Sequence, residues 1–113
     1  MERERDIERK LKREVEKVGG ICFKFLSFVS GVPDRLCLFP GGKIVFVETK
    51  RKGEKPRPLQ ERQMERIRKL GFRVEVIESE QGIKELLNSE GINKEKHETI
   101  NEIKNETINK TEQ

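Results

Sequence analysis

The chain has no tryptophan and no tyrosine, and phenylalanine supplies its whole aromatic content of 5 %. So little aromatic mass beside 41 % charged residues allows only a modest core, and part of the chain lacks the apolar surface that packing requires. No apolar run is long enough to span a bilayer, and no basic start followed by an apolar stretch marks a secretory leader, so a cytoplasmic protein is expected. Cysteine is scarce too. Cys22 and Cys37 sit in apolar strand-like patterns, where small, buried, reduced thiols are expected. The one histidine, His97, stands by itself in a polar stretch. A zinc site is thereby excluded.

What is present divides the 113 residues into two parts. Residues 1–88 carry the periodic apolar patterns and read as one domain. Residues 89–113 hold Asn, Lys, Glu and Thr with Ile92, Ile100, Ile103 and Ile108 too sparse for a core face, and read as a charged polar tail, disordered or weakly helical. Four lysines and six glutamates leave the tail at −2, so residues 1–88 carry +6 against +4 for the whole chain. The excess lies at Arg51, Lys52, Lys55 and Arg57 and again at Arg62, Arg66, Arg68 and Lys69, which points to an anionic polymer as partner.

The apolar spacing predicts a helix over 3–18 with Ile7, Leu11, Val15 and Val18 on one stripe, stopped by Gly19-Gly20. Strands follow at 21–28, 36–39 and 43–50. A second helix over 59–70 has Met64, Ile67 and Leu70 as its buried stripe. A strand over 72–77 and a short helix around Ile83, Leu86 and Leu87 complete the order α-β-β-β-α-β-α. This is an α/β pattern, a mixed sheet flanked by helices, in which the piece from Ile44 to Ile77 is a crossover to a parallel neighbour.

The strand Lys43-Ile-Val-Phe-Val-Glu-Thr-Lys50 ends in charge, and alternation puts Glu48 and Lys50 on one face with Thr49 on the other. Just upstream stands Gly31-Val32-Pro33-Asp34-Arg35. If Pro40-Gly41-Gly42 forms a three-residue hairpin loop, Phe39 faces Lys43, Leu36 faces Phe46 and Asp34 falls opposite Glu48. If only the two glycines form the loop, Asp34 faces Thr49 unless a bulge re-aims it. The three-residue loop or a bulge is expected. Two carboxylates then share one hard cation such as Mg²⁺, which is commonly held by one or two carboxylates plus phosphate oxygens, and Lys50 adds positive charge beside it. Glu4 and Glu8 border the apolar stripe of the first helix. Either is a further ligand aimed across the sheet or a first-turn acid favoured by the helix dipole. Lys24 either touches phosphate or keeps its head in water at a sheet edge.

Glu8-Arg9-Lys10-Leu11, Gly19-Gly20 with Lys24, Gly31-Val32-Pro33-Asp34-Arg35, Val47-Glu48-Thr49-Lys50, Pro58-Leu59-Gln60 and Gly71-Phe72-Arg73-Val74 together resemble the virus-type replication-repair nuclease (VRR-NUC) domain. The resemblance covers about residues 4–78. That family belongs to the PD-(D/E)XK superfamily, so it implies a restriction-endonuclease-like fold. It also implies Asp34 and Glu48 as metal carboxylates, the Thr49 main-chain carbonyl as a further ligand, Lys50 as the catalytic lysine, Glu8 as the acid of the first helix and Gln60 as the supporting glutamine. Glu4 competes with Glu8 for that role.

The expected activity is Mg²⁺- or Mn²⁺-dependent hydrolysis of DNA phosphodiesters, with branched DNA as substrate and four-way junctions resolved by a homodimer. Lys24, Arg35, Arg51, Lys52, Lys55 and Arg57 are the expected DNA contacts. The outer face of the first helix or the strand near Ile21 is expected to supply a dimer surface. The rival readings are a flap or general structure-specific nuclease and a DNA-binding module without catalysis.

Overall fold

The computed structural model describes residues 3–89. The expected tail, from residue 90 onward, lies outside the described residues.

Helix α1, Glu4–Lys17, forms where apolar residues recur every fourth position, and Ile7, Leu11 and Val15 are buried along that stripe. The backbone N–H of Arg3 donates to Asp6 Oδ2 at 3.2 Å, satisfying one of the amides a helix start leaves open. The stop at Gly19-Gly20 has a packing cause. A Cβ on Gly20 would lie 2.6 Å from the Leu38 carbonyl oxygen and 2.8 Å from a Val15 methyl, so only glycine lets the helix end approach the sheet this closely.

The sheet has four strands in the order β1-β2-β3-β4. Strands β1, Ile21–Lys24, and β2, Arg35–Phe39, pair antiparallel, as do β2 and β3, Lys43–Thr49, while β3 and β4, Arg73–Ile77, run parallel. The hairpin register is Phe39 against Lys43, Leu36 against Phe46 and Arg35 against Val47. This is the three-residue loop, with Gly41 and Gly42 at φ 87° and 77°. Asp34 stands one residue before β2, at the step that continues toward Glu48.

Helix α2, Pro58–Lys69, links the parallel pair, and α3, Glu80–Ser89, follows β4. Alternation sorts the two faces of the sheet. Cys37, Val45, Val47 and Ile77 pack with Ile7, Leu11, Ile83 and Leu86 in one core beneath α1 and α3. The opposite face carries Ile21, Phe23, Leu36, Phe46, Glu48 and Val74, and α2 rests on it chiefly over β4.

The structure departs from the sequence pattern at two places. The first strand ends at Lys24 rather than at Phe28: Phe25 still donates its N–H to the Asp34 carbonyl at 2.7 Å, but Ser27 Oγ then accepts the Val29 N–H at 3.0 Å, a local turn that competes with the ladder. Leu70 does not belong to the buried stripe of α2. It caps the helix beyond its last turn and is 77 % exposed, leaving Met64 as the buried apolar residue of that helix.

Candidate active site

The charged end of β3 and the entry to β2 meet at one end of the sheet, and the N-terminal turns of α1 and α2 converge there from opposite faces. Glu48 is 6 % exposed. Its Oε1 accepts from Gln60 Nε2 at 3.0 Å, and Gln60 Oε1 in turn accepts the backbone N–H of Arg57 at 2.9 Å. The side chain of Gln60 thus caps the start of α2 and fixes the carboxylate of β3 in one gesture. Lys50, also buried, places its Nζ 3.8 Å from Glu48 Oε1 and 3.5 Å from Glu54 Oε1. Glu54 was not anticipated from the sequence. It lies in a polar loop with no periodicity, and four residues of separation bring charges together reliably only inside a helix.

On the other face, Thr49 Oγ1 donates to Glu8 Oε1 at 3.1 Å, and the Arg35 guanidinium pairs with Glu8 Oε2 at 2.9 Å. Both oxygens of Glu8 are therefore engaged. Arg35, expected at the DNA, turns inward instead and ties β2 to α1. The reason lies in the alternation, since Arg35 shares the α1 face with Cys37 and Val47. Of the other expected DNA contacts, Arg51, Lys52, Lys55 and Arg57 are exposed in the loop between β3 and α2, and Lys24 is exposed at the end of the edge strand.

The electrostatics of this corner are those of crowded acids. Burial, and next the charge of Asp34, push the Glu48 carboxyl up to about 7, against the pull of Lys50. Burial and then Glu8 raise Asp34, with Arg35 and the main-chain amides of Asp34 and Thr49 opposing. Burial, Glu8 and Asp34 raise Glu4. Glu4 thus senses the charges on both sides of the cleft.

Two features fit this corner to a divalent cation. Asp34 Oδ1 is buried without a hydrogen-bond partner. One carboxylate oxygen from each of Glu4, Glu8 and Asp34 lies within 4.8 Å of the others. An all-oxygen, acid-rich donor set is what hard ions such as Mg²⁺ and Mn²⁺ take. Glu48 is not one of these three, although Asp34 and Glu4 both act on its charge. The sequence pattern leaves Glu4 and Glu8 competing for one role, whereas the fold brings both to Asp34.

Residues 3–81 match the VRR-NUC domain. The chain is 52 % identical over 79 residues to "Putative nuclease p44" of Acyrthosiphon pisum secondary endosymbiont phage 1, an alignment covering 69 % of this chain and 85 % of the phage protein. A solved structure titled "VRR_NUC domain" superposes with a TM-score of 0.72 at 37 % identity, covering 75 % of this chain and 94 % of that one. With the domain match spanning more than half of its length, this chain belongs to the VRR-NUC family of nuclease domains.

Proposed function

We propose that this chain is a divalent-metal-dependent DNA endonuclease that cuts branched DNA, four-way junctions above all, acting as paired copies in the cytoplasm. The observation that carries this reading is an unpartnered Asp34 oxygen at the same end of the sheet as the buried Glu48 and Lys50. Asp34 and Glu48, with Glu4, Glu8 and the Thr49 carbonyl around them, would hold Mg²⁺ or Mn²⁺. Such an ion, when bound, acidifies water and offsets the charge of a phosphate.

The chain's own residues do the rest. Arg51, Lys52, Lys55 and Arg57 hold the phosphates of the incoming strand. Gln60 keeps the Glu48 carboxylate from rotating away. Lys50 orients the attacking water and stabilises the negative charge that grows on the phosphate as one P–O bond forms and another breaks. The basic loop reads backbone and not bases, so selectivity follows the shape of the DNA.

The test is Mn²⁺ titration with an end-labelled four-way junction, set beside a flap substrate and beside Lys50→Ala. Symmetric paired nicks from the wild-type chain, lost in Lys50→Ala while DNA binding persists, are expected. Faster cutting of flaps than of junctions would reassign the substrate. Intact DNA at every metal concentration, with binding retained, would leave a DNA-binding module.

A further inference from the structure

The first two strands hold the chain's two thiols face to face. Cys22 on β1 stands directly across the ladder from Cys37 on β2, both are free, and Cys37 Sγ donates to Cys22 Sγ at 3.8 Å. The bonding next to them shows what kind of pair they form. One step beyond Lys24 and Arg35, Phe25 donates its N–H to the Asp34 carbonyl, which makes Phe25 and Asp34 a hydrogen-bonded pair. Bonded and non-bonded pairs alternate along an antiparallel ladder, so Phe23 with Leu36 is bonded and Cys22 with Cys37 is not. A non-bonded pair sets its Cα atoms about 4.5 Å apart and its side chains closest, within the roughly 4.4–6.8 Å that a disulfide bridges. The bond can form without moving either strand.

The two sulfurs are unequal. Cys37 is wholly buried, while Cys22 is 6 % exposed, an opening that only a small reagent can use. The hydrogen bond from Cys37 holds the Cys22 thiol below its usual range, with Arg35 and Lys12 adding to it and burial and Glu16 opposing. That same bond, and burial after it, push Cys37 up. Cys22 is therefore the better nucleophile, and Cys37 is the thiol that keeps its proton.

We propose that Cys22 and Cys37 are a disulfide site, oxidised by a small hydroperoxide, that staples the edge strand β1 to β2. The Cys22 thiolate attacks the terminal peroxide oxygen, the O–O bond breaks, and the departing alkoxide, or hydroxide from hydrogen peroxide, takes up the proton that Cys22 released. Cys22 is now a sulfenic acid. The Cys37 sulfur then attacks the Cys22 sulfur, the S–O bond breaks, and the Cys37 proton leaves with the hydroxyl as water. Two thiols have given two electrons to the peroxide. A small thiol in excess reverses the step by exchange and is itself oxidised to a disulfide.

The place of the bond gives it a use. Strand β1 has four residues, lies at the edge of the sheet and is held chiefly by β2 and α1. The segment that leads from it to β2 carries Asp34 into the candidate site. A bond across the base of that segment keeps it anchored when the edge strand opens, and it also restricts the unfolded chain.

Hydrogen peroxide added to the native full chain tests the proposal by intact mass and tryptic mapping. The chain should lose the mass of two hydrogen atoms, with fragments 18–24 and 36–43 joined, and dithiothreitol should restore it. At constant reduced glutathione, the native chain should reach half oxidation at a glutathione disulfide concentration at least about tenfold lower than the chain in urea needs. The oxidised chain should melt at least about 5 °C higher with unchanged far-UV circular dichroism, and its β1 amides should exchange more slowly. Cys22→Ser and Cys37→Ser should each abolish the cross-link.

Two thiols still free after peroxide overturn the proposal. So does Cys22 carried on to the sulfinic acid beside a free Cys37, or a cross-link that joins two chains. Equal oxidation of folded and unfolded chain, or an oxidised chain that melts lower than the reduced one, would mean that the thiols only fill the core. DNA cleavage enters none of these measurements, so the site stands or falls apart from the proposed function.

Discussion

Glu48 concentrates the electrostatics of the candidate site in one side chain. Its carboxyl titrates near 7 in the fold against 4.5 when free, so the folded state binds the proton more tightly than the unfolded state. The stability this contributes is fully present below about pH 4.5 and is lost as the pH rises through 7, amounting at most to about 3 kcal/mol at roughly 1.4 kcal/mol per pH unit. Asp34 and Glu4 are shifted in the same direction. The metal-free protein should therefore melt at a lower temperature at pH 8 than at pH 5. Mn²⁺ should recover the loss at pH 8 and do little at pH 5, as differential scanning calorimetry would show. Equal Mn²⁺ effects at both pH values would mean that the acids are not its ligands. Glu48→Gln removes the buried charge and keeps an oxygen for Gln60. It should raise the metal-free melting temperature at pH 8 while cutting the cleavage rate by at least about 100-fold. Lys50→Ala should lose cleavage similarly and leave junction affinity within about twofold, since its Nζ faces Glu48 and Glu54 rather than the surface.

Helix α1 is held to the sheet at two points of opposite character. At its C-terminal end Gly20 lets the chain pass against β2, and Gly20→Ala should cost about 1–3 kcal/mol in chemical unfolding, an overpacking penalty with no compensating contact. At its N-terminal end the Arg35–Glu8 pair and the Thr49 hydroxyl fix the carboxylate face of the helix. Arg35→Met should leave Glu8 with one partner, cost about 2 kcal/mol, and weaken Mn²⁺ binding measured by calorimetry. DNA affinity in the absence of metal should change little. If instead Arg35→Met weakened metal-free DNA binding as strongly as Arg51→Met does, the inward ion pair would not describe its role. Both points serve the same end. A helix that slides by one turn would withdraw Glu4 and Glu8 from Asp34 together.

At the scale of the whole molecule the net charge is unevenly placed. The +6 of residues 1–88 sits in the loop after β3 and along α2, so junction binding should fall steeply as salt rises, and Lys52→Ala with Lys55→Ala should flatten that dependence by about two phosphate contacts. No helix among the described residues is long and apolar enough to cross a membrane.

The element order, the hairpin register and the convergence of Glu48 with Lys50 were legible in the sequence because each is local. The period of apolar residues, the three-residue loop and strand alternation act over a few residues and need no partner. The inward turn of Arg35, the joint approach of Glu4 and Glu8 to Asp34, the pairing of Lys50 with Glu54 and the exposure of Leu70 were decided only by the tertiary structure. Each depends on how far one element reaches over another. A side chain's neighbours across a sheet are set by packing distances that linear spacing does not contain.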